Sequence, residues 1–263
     1  MLEPLTRASV VLSFDFDGTL HEPSAVPTVP VRFFETIRRL REEHGAVWGI
    51  NTGRSMPYVV EGLVEARSPF LPDWVVARER EIYFPNKFGR WLPHAAWNKR
   101  CGKDIHSLFK KHRKLLQRIR KEVLEHTGAE WLEMEGEPAG LVARREEDME
   151  WIMPKVLELT ADTPDLGWQR NSIWLRFGHR NYQKGSSLSE VARHYGLPAD
   201  KCFAIGDSHN DLEMLDPKHA GMIACPANAV EEVRRHVLGH GGYLCLAGHG
   251  DGAVEALKRF FGT

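Results

Sequence analysis

Short apolar strands alternate with amphipathic helices at the start of this 263-residue chain, and the alternation resumes towards its end. Val10-Val11-Leu12-Ser13-Phe14 is an apolar run of strand formers, and it stops at Asp15-Phe16-Asp17-Gly18-Thr19, where Gly18 permits a turn. Residues 31–43 place Phe33, Phe34, Ile37 and Leu40 on one helical face. Residues 46–50 form a second apolar run, Asn51-Thr52-Gly53-Arg54-Ser55 the turn after it, and Pro57 sits just inside a following helix. Residues 74–77 read as a third strand. Strand, helix, strand, helix, strand is the order of a parallel sheet with crossover helices.

The rhythm breaks near Ile82 and stays broken to about Tyr182. Helical stretches at 107–126 and 146–160 alternate there with strand-like runs at 139–143 and 172–177. Six of the eight tryptophans (Trp91, Trp97, Trp131, Trp151, Trp168 and Trp174) fall in this segment, which reads as a separate α+β insert. A helix opens again at Lys184 and is stopped by Gly196-Leu197-Pro198. Residues 202–205 are a strand ending at Gly206-Asp207-Ser208-His209-Asn210-Asp211, with a helix expected from there through Leu215. A strand at 221–224 and helices at 229–237 and 252–261 complete the chain. The expected fold class is α/β: a Rossmann-like parallel sheet core with helices on both faces, built from residues 1–82 and 183–263, plus a smaller inserted α+β domain over 83–182.

A formal net charge of -1 supplies no bulk field towards nucleic acid or membrane, so neither partner is expected. The basic run Lys110, Lys111, Arg113, Lys114, Arg118, Arg120 and Lys121 has helical spacing and reads as a solvated face. Four scattered cysteines without a CxxC pair argue against a zinc site or a disulfide framework. The opening residues 1–10 carry no long apolar run, so no leader is expected, and the default compartment is the cytoplasm. His236, His240 and His249 are irregularly spaced among glycines and read as loop residues rather than metal ligands. Oligomeric state is not indicated.

Four clusters stand at strand ends, where open parallel sheets bind ligands. Asp15 and Asp17 bring two carboxylates towards one cavity once Asp17 has left the strand for the Gly18 turn. Crowded carboxylates repel unless a cation intervenes, and a hard divalent ion with oxygen ligands, Mg2+ above all, relieves them. A carboxylate beside such an ion can attack phosphorus. Thr52-Gly53-Arg54 offers a hydroxyl and backbone N–H groups to a phosphate oxygen; a plain helix cap is the alternative. Lys184, just before a helix, can balance carboxylate and phosphoryl charge, or be a surface lysine. Asp207 and Asp211 lie in a tight Gly turn and suit a metal site, or a capping loop.

Asp15-Phe16-Asp17-Gly18-Thr19, then Thr52, Lys184, and Gly206-Asp207 with Asp211, together resemble the four-motif pattern of haloacid dehalogenase (HAD) superfamily hydrolases, over roughly Val10 to Tyr83 and Tyr182 to Phe261. The insert between the second and third motifs resembles a class IIB cap. Asn51-Thr52-Gly53-Arg54-Ser55 and Gly206-Asp207-Ser208-His209-Asn210-Asp211 are similar to the forms of that sugar-phosphatase branch, sucrose-phosphate phosphatases included. The resemblance implies Asp15 as nucleophile, forming an aspartyl phosphate, and Asp17 as general acid and base. It implies Thr52 and Lys184 as phosphoryl and nucleophile partners. Gly53, Arg54 and Asn210 become substrate contacts. Mg2+ is held by Asp15, the Asp17 carbonyl and Asp207, with Asp211 supporting that shell. His179 and Arg180, just before the return to the core, are further substrate candidates. The implied reaction is Mg-dependent hydrolysis of a small phosphomonoester, a sugar phosphate. The alternatives are a phosphosugar mutase and a non-catalytic phospho-ligand-binding module. The chain departs from the pattern at Arg78-Glu79-Arg80-Glu81, where the family often has a small Asn-Gly pair, and at Pro226-Ala227-Asn228-Ala229.

Overall fold

The structure, a computed structural model, describes residues 7–134 and 137–262; residues 1–6, at the start of the expected core segment, lie outside the described residues. Chain contacts divide it into two units, Met1–Asn98 with Lys184–Thr263, and Lys99–Gln183. In the first, β1 (Val10–Phe14), α1 (Val31–His44), β2 (Ala46–Asn51), α2 (Met56–Glu65) and β3 (Trp74–Ala77) follow in order, then β4 (Glu81–Pro85) and β5 (Trp91–Pro93). Next comes α3 (Ala95–Lys111), which runs across the boundary between the units. The second unit continues with α4 (Arg113–His126), β6 (Glu130–Met134), β7 (Glu137–Val142), α5 (Glu146–Leu159), β8 (Leu166–Asn171) and β9 (Trp174–His179). The chain returns to the first unit through α6 (Lys184–His194), β10 (Cys202–Ile205), β11 (Met222–Cys225), α7 (Glu231–Gly239), β12 (Tyr243–Leu244) and α8 (His249–Phe261).

The first unit is built on one sheet, in the order β12-β11-β10-β1-β2-β3-β4-β5. From β12 to β3 every pairing is parallel; β4 and β5 add as antiparallel strands. Every residue of β1, β2 and β3 is buried, as a sheet covered on both faces requires. Leu12 and Phe14 turn to a cluster with Phe33, Trp48, Phe70 and Leu257, in which the Phe14 and Phe33 rings meet edge-on at 5.0 Å. Burying each such ring stabilises the unit by roughly 1.5–3 kcal/mol. Ser13 points the other way and donates to the Met214 sulfur at 3.1 Å. The strand order reverses at β1: the chain goes out through β2 and β3 on one side and through β10 to β12 on the other. Loops leaving the C-terminal ends of β1 and β10 therefore diverge and leave a crevice, which is where such sheets bind ligands.

Three expectations shift. The first unit runs to Asn98 rather than 82, because β4 and β5 pair onto β3 and extend the sheet; Trp91 and Trp97 belong to it. The helical stretch at 107–126 is two helices that meet at His112. The helix expected after the fourth motif is a single 3₁₀ turn, His209–Asp211. Asp211 folds its carboxylate back onto the loop, and Pro217 disfavours helical backbone at Asp216.

In the second unit an antiparallel sheet, β6-β7-β9-β8, is covered by α4 and α5. Leu116, Ile119 and Val123 pack with Met149, Ile152 and Val156 on Leu141, Leu175 and Phe177. Trp131 stacks on Phe177 and Trp151 on His126, so these indoles build the unit, whereas Trp174 is 51 % exposed. Asp165, ahead of β8, accepts from the Lys111 ammonium at 2.8 Å and lies 3.0 Å from the His112 ring nitrogen. The Lys111 bond first, with His112, holds its carboxyl down to about 2. A carboxyl held low stabilises the fold above its ordinary value near ~4 and loses that contribution as the pH falls towards about 2. Asp165→Asn is expected to cost up to about 1 kcal/mol at neutral pH, the scale of solvent-facing pairs. In thermal melts its deficit against the parent closes on acidification through that window; a pH-independent deficit contradicts the assignment.

Candidate active site

Asp15 is the residue after β1, and Asp207 follows β10 by two. β1 and β10 are hydrogen-bonded neighbours, with Phe14 opposite Ile205, so the two carboxylates must leave the sheet side by side. Asp15, Asp207 and Asp211 gather with ligand oxygens all within 4.8 Å of one another. The Lys184 ammonium, fully buried at the start of α6, donates to Asp15 Oδ1 at 2.5 Å and to Asp211 Oδ1 at 2.6 Å. Asp211 Oδ2 takes the backbone N–H groups of Asp207 and Ser208, both at 2.9 Å. Its oxygens are thus engaged in holding the loop and the lysine. Two glycines make the approach possible. Gly18 has φ 81°, and a Cβ there would lie 2.5 Å from Asp207 Oδ2; a Cβ on Gly206 would lie 2.4 Å from the Asp211 carboxyl carbon.

Two buried carboxylates, Asp15 and Asp211, and the half-buried Asp207 stand around one ammonium, and the electrostatics follow. Burial and the Asp211 charge push the Asp15 carboxyl well above the ordinary carboxylate range, against the pull of Lys184. Burial and Asp211 likewise push Asp207 up to about 6, against the Thr19 hydroxyl that donates to it at 2.5 Å. Burial alone favours the neutral amine of Lys184, but Asp15, Asp211 and Glu79 outweigh it and hold the group above the ordinary lysine range. An all-oxygen set carrying excess negative charge is the donor chemistry a hard divalent cation satisfies, so these residues fit Mg2+.

The Asp17 carboxylate stands outside this group. It is 45 % exposed and held by Arg54 through two bonds, Nε to Oδ2 at 2.8 Å and Nη2 to Oδ1 at 2.5 Å. Arg54 also stacks its guanidinium over the Phe16 ring, 4.8 Å from its centre. The side chain singled out in the sequence as a phosphate contact is therefore spent on Asp17. Thr52 is buried; its hydroxyl accepts the Arg54 N–H at 3.1 Å and keeps its own proton to donate. It does not cap α2, whose N-cap is Ser55, and Gly53 lies in the bend between Thr52 and Arg54. His179 and Arg180 belong to the second unit, where the Arg180 N–H bonds the Asp165 carbonyl at 3.0 Å. His209 reaches Glu232, 3.3 Å away, and among the described residues His236, His240 and His249 form no metal-ligand group.

Sequence reasoning quoted Thr19, Asn51, Asn228 and Glu79 within its motifs and departures but foresaw none of their contacts. Thr19 fixes Asp207. Asn51 donates to the Lys184 carbonyl at 2.9 Å. Asn228 donates to the Gly18 carbonyl at 2.8 Å and takes the His249 N–H at 2.8 Å. Glu79 accepts from Asn210 Nδ2 at 2.6 Å. Arg78 and Glu79 both have positive φ, 49° and 63°, a conformation that costs of order 1–3 kcal/mol per non-glycine residue. Four charged residues in a row right after a buried strand were the only signal for this turn.

The acid cluster and the buried lysine stand together at the switch point of the sheet, and known proteins share this arrangement of the chain. Residues 138–238 match the family model of haloacid dehalogenase-like hydrolases. A phosphoglycolate phosphatase of Methanothermobacter thermautotrophicus is 40% identical over 79 residues, 30% of this chain and 33% of the relative, so the match spans about a third of that protein. The sucrose-phosphatase structure from Synechocystis has the same fold at TM-score 0.70 and 16% identity, covering 96% of this chain and 98% of that one. A HAD subclass IIB sugar phosphatase follows at TM-score 0.62 and 16% identity, covering 95% and 98%. Over residues 138–238 the chain is thus similar to haloacid dehalogenase-like hydrolases, and as a whole it shares the fold of these phosphatase structures.

Proposed function

We propose that the chain is a Mg-dependent phosphatase that hydrolyses a small phosphorylated metabolite, a sugar phosphate, through an aspartyl phosphate on Asp15. The observation that carries this is the Asp15–Lys184–Asp211 chain of contacts with Asp207 alongside. Lys184 pins one oxygen of Asp15 and neutralises charge where an ester phosphoryl group arrives. Asp15, the Asp17 carbonyl and Asp207, with Asp211 behind them, would hold Mg2+, which would supply charge neutralisation for the transferring phosphoryl group. Thr52 donates its hydroxyl to a phosphoryl oxygen, and Asn210 and the Gly53–Arg54 turn line the same place. Asp17 protonates the leaving oxygen, then takes a proton from the attacking water. Arg54 occupies both oxygens of Asp17, so the pair has to open when the ester binds.

Relatives named for phosphoglycolate and for sucrose phosphate support a small, oxygen-rich leaving group. The insert, with His179, Arg180 and the exposed Trp174, is the proposed specificity cap. Among the described residues no helix is long and apolar enough to cross a membrane, and the four cysteines are buried and not joined in disulfides. The cytoplasm is the proposed compartment. The test is turnover of a generic aryl phosphate and then of a panel of phosphorylated metabolites. Phosphate release is expected with Mg2+, to stop with a chelator and to return on adding the metal back. Turnover indifferent to chelation removes the metal assignment; an isomeric sugar phosphate as product instead of inorganic phosphate makes the protein a mutase.

A further inference from the structure

The turn after β3 holds one acidic side chain that the mechanism above leaves unused. Glu79 is 2 % exposed. Its N–H bonds the Thr52 carbonyl at 2.8 Å, its carbonyl takes the Ser187 hydroxyl at 3.2 Å, and its carboxylate takes Asn210 Nδ2 at 2.6 Å. Glu79 therefore touches the loop after β2, the helix that begins at Lys184, and the loop after β10. Its left-handed backbone is what aims the side chain inwards.

Glu79 Oε1 accepts from Asn210 Nδ2, so the Asn210 amide faces Glu79 with its nitrogen. The amide is thereby fixed in one of its two orientations. The Asn210 carbonyl oxygen is buried and has no hydrogen-bond partner among the described residues. With Oδ1 an acceptor like the phosphoryl oxygens, the second N–H on Nδ2 is what Asn210 keeps for a phosphoryl group. We propose that Glu79 is a positioning residue: by fixing which way the Asn210 amide faces, it sets the affinity of the acid cluster for a phosphoryl group. The proposal rests on the hydrolase reading and names a residue that reading does not require.

Glu79→Asn keeps a residue that tolerates the left-handed backbone but is too short to reach Asn210. Glu79→Gln keeps the length and one acceptor oxygen. Binding of inorganic phosphate in the presence of Mg2+ is measured by calorimetry, and kcat and KM on an aryl phosphate alongside. E79N and N210A are each expected to weaken phosphate binding about tenfold, the size of one charge-assisted hydrogen bond. The double variant is expected to be no weaker than the worse single one, because both remove the same contact. E79Q is expected to stay within about threefold of the parent. Losses that multiply in the double variant overturn the proposal, as does an E79N that melts earlier but binds phosphate like the parent. A parent chain that binds no phosphate overturns the hydrolase reading and this one together; additive variants of a phosphate-binding parent overturn this one alone.

Discussion

Asp15→Asn is expected to end phosphate release, with a loss on the order of 10⁴-fold or more, while the chain stays folded. The amide keeps the shape of the carboxylate but is no nucleophile towards phosphorus. Asp15 sits 5 % exposed at the end of a fully buried strand, so nothing else on β1 can take its place. The fold survives because Lys184 keeps its second partner, Asp211, and because one of three crowded carboxylates is gone. Phosphate release and a thermal melt on the same preparation check both halves. Turnover within tenfold of the parent assigns the nucleophile elsewhere.

Lys184→Met is expected to be as damaging, and through stability as well as activity. The side chain is fully buried, and its ammonium is within 2.6 Å of two carboxylates. Removing one member of a buried charge cluster costs about 3–5 kcal/mol, because the acids left behind have lost their compensation. The pH dependence has a definite sign. Burial already holds Asp15 and Asp207 above the ordinary carboxylate range, and without the ammonium they rise further. The folded variant then carries protons that the unfolded chain releases, so its stability rises as the pH falls from neutral. Denaturant unfolding at pH 7.5 and 5.5 should show the gap to the parent narrowing at the lower pH. A variant within about 1 kcal/mol of the parent at both would contradict the buried-cluster account.

These outcomes depend on parts of the molecule that differ in how far they can be read from sequence. Asp15 ends an apolar run and Asp207 follows another; a parallel sheet delivers both to its C-terminal rim, and the alternation of runs and helices announces that sheet. Glu79 was legible only as an oddity, because its meaning is a contact with Asn210, 131 positions on. Arg54 carried the same difficulty: beside a turn rich in N–H groups it reads as an anion contact, yet its nearest anion is Asp17, 37 residues earlier.

Periodicity and turn chemistry are local properties, so the chain itself determined the parallel core, the interruption by an α+β insert, and which acids stand where strands end. Pairing is not local. Only the tertiary structure decided that β4 and β5 join the core sheet, that Thr19 holds Asp207 from 188 residues away, and that Asp17 and Asp211 are engaged by Arg54 and Lys184 rather than left free. The physical reason is that a buried charge takes whichever partner the packing of distant strands brings within hydrogen-bond reach, and sequence spacing carries no record of that distance.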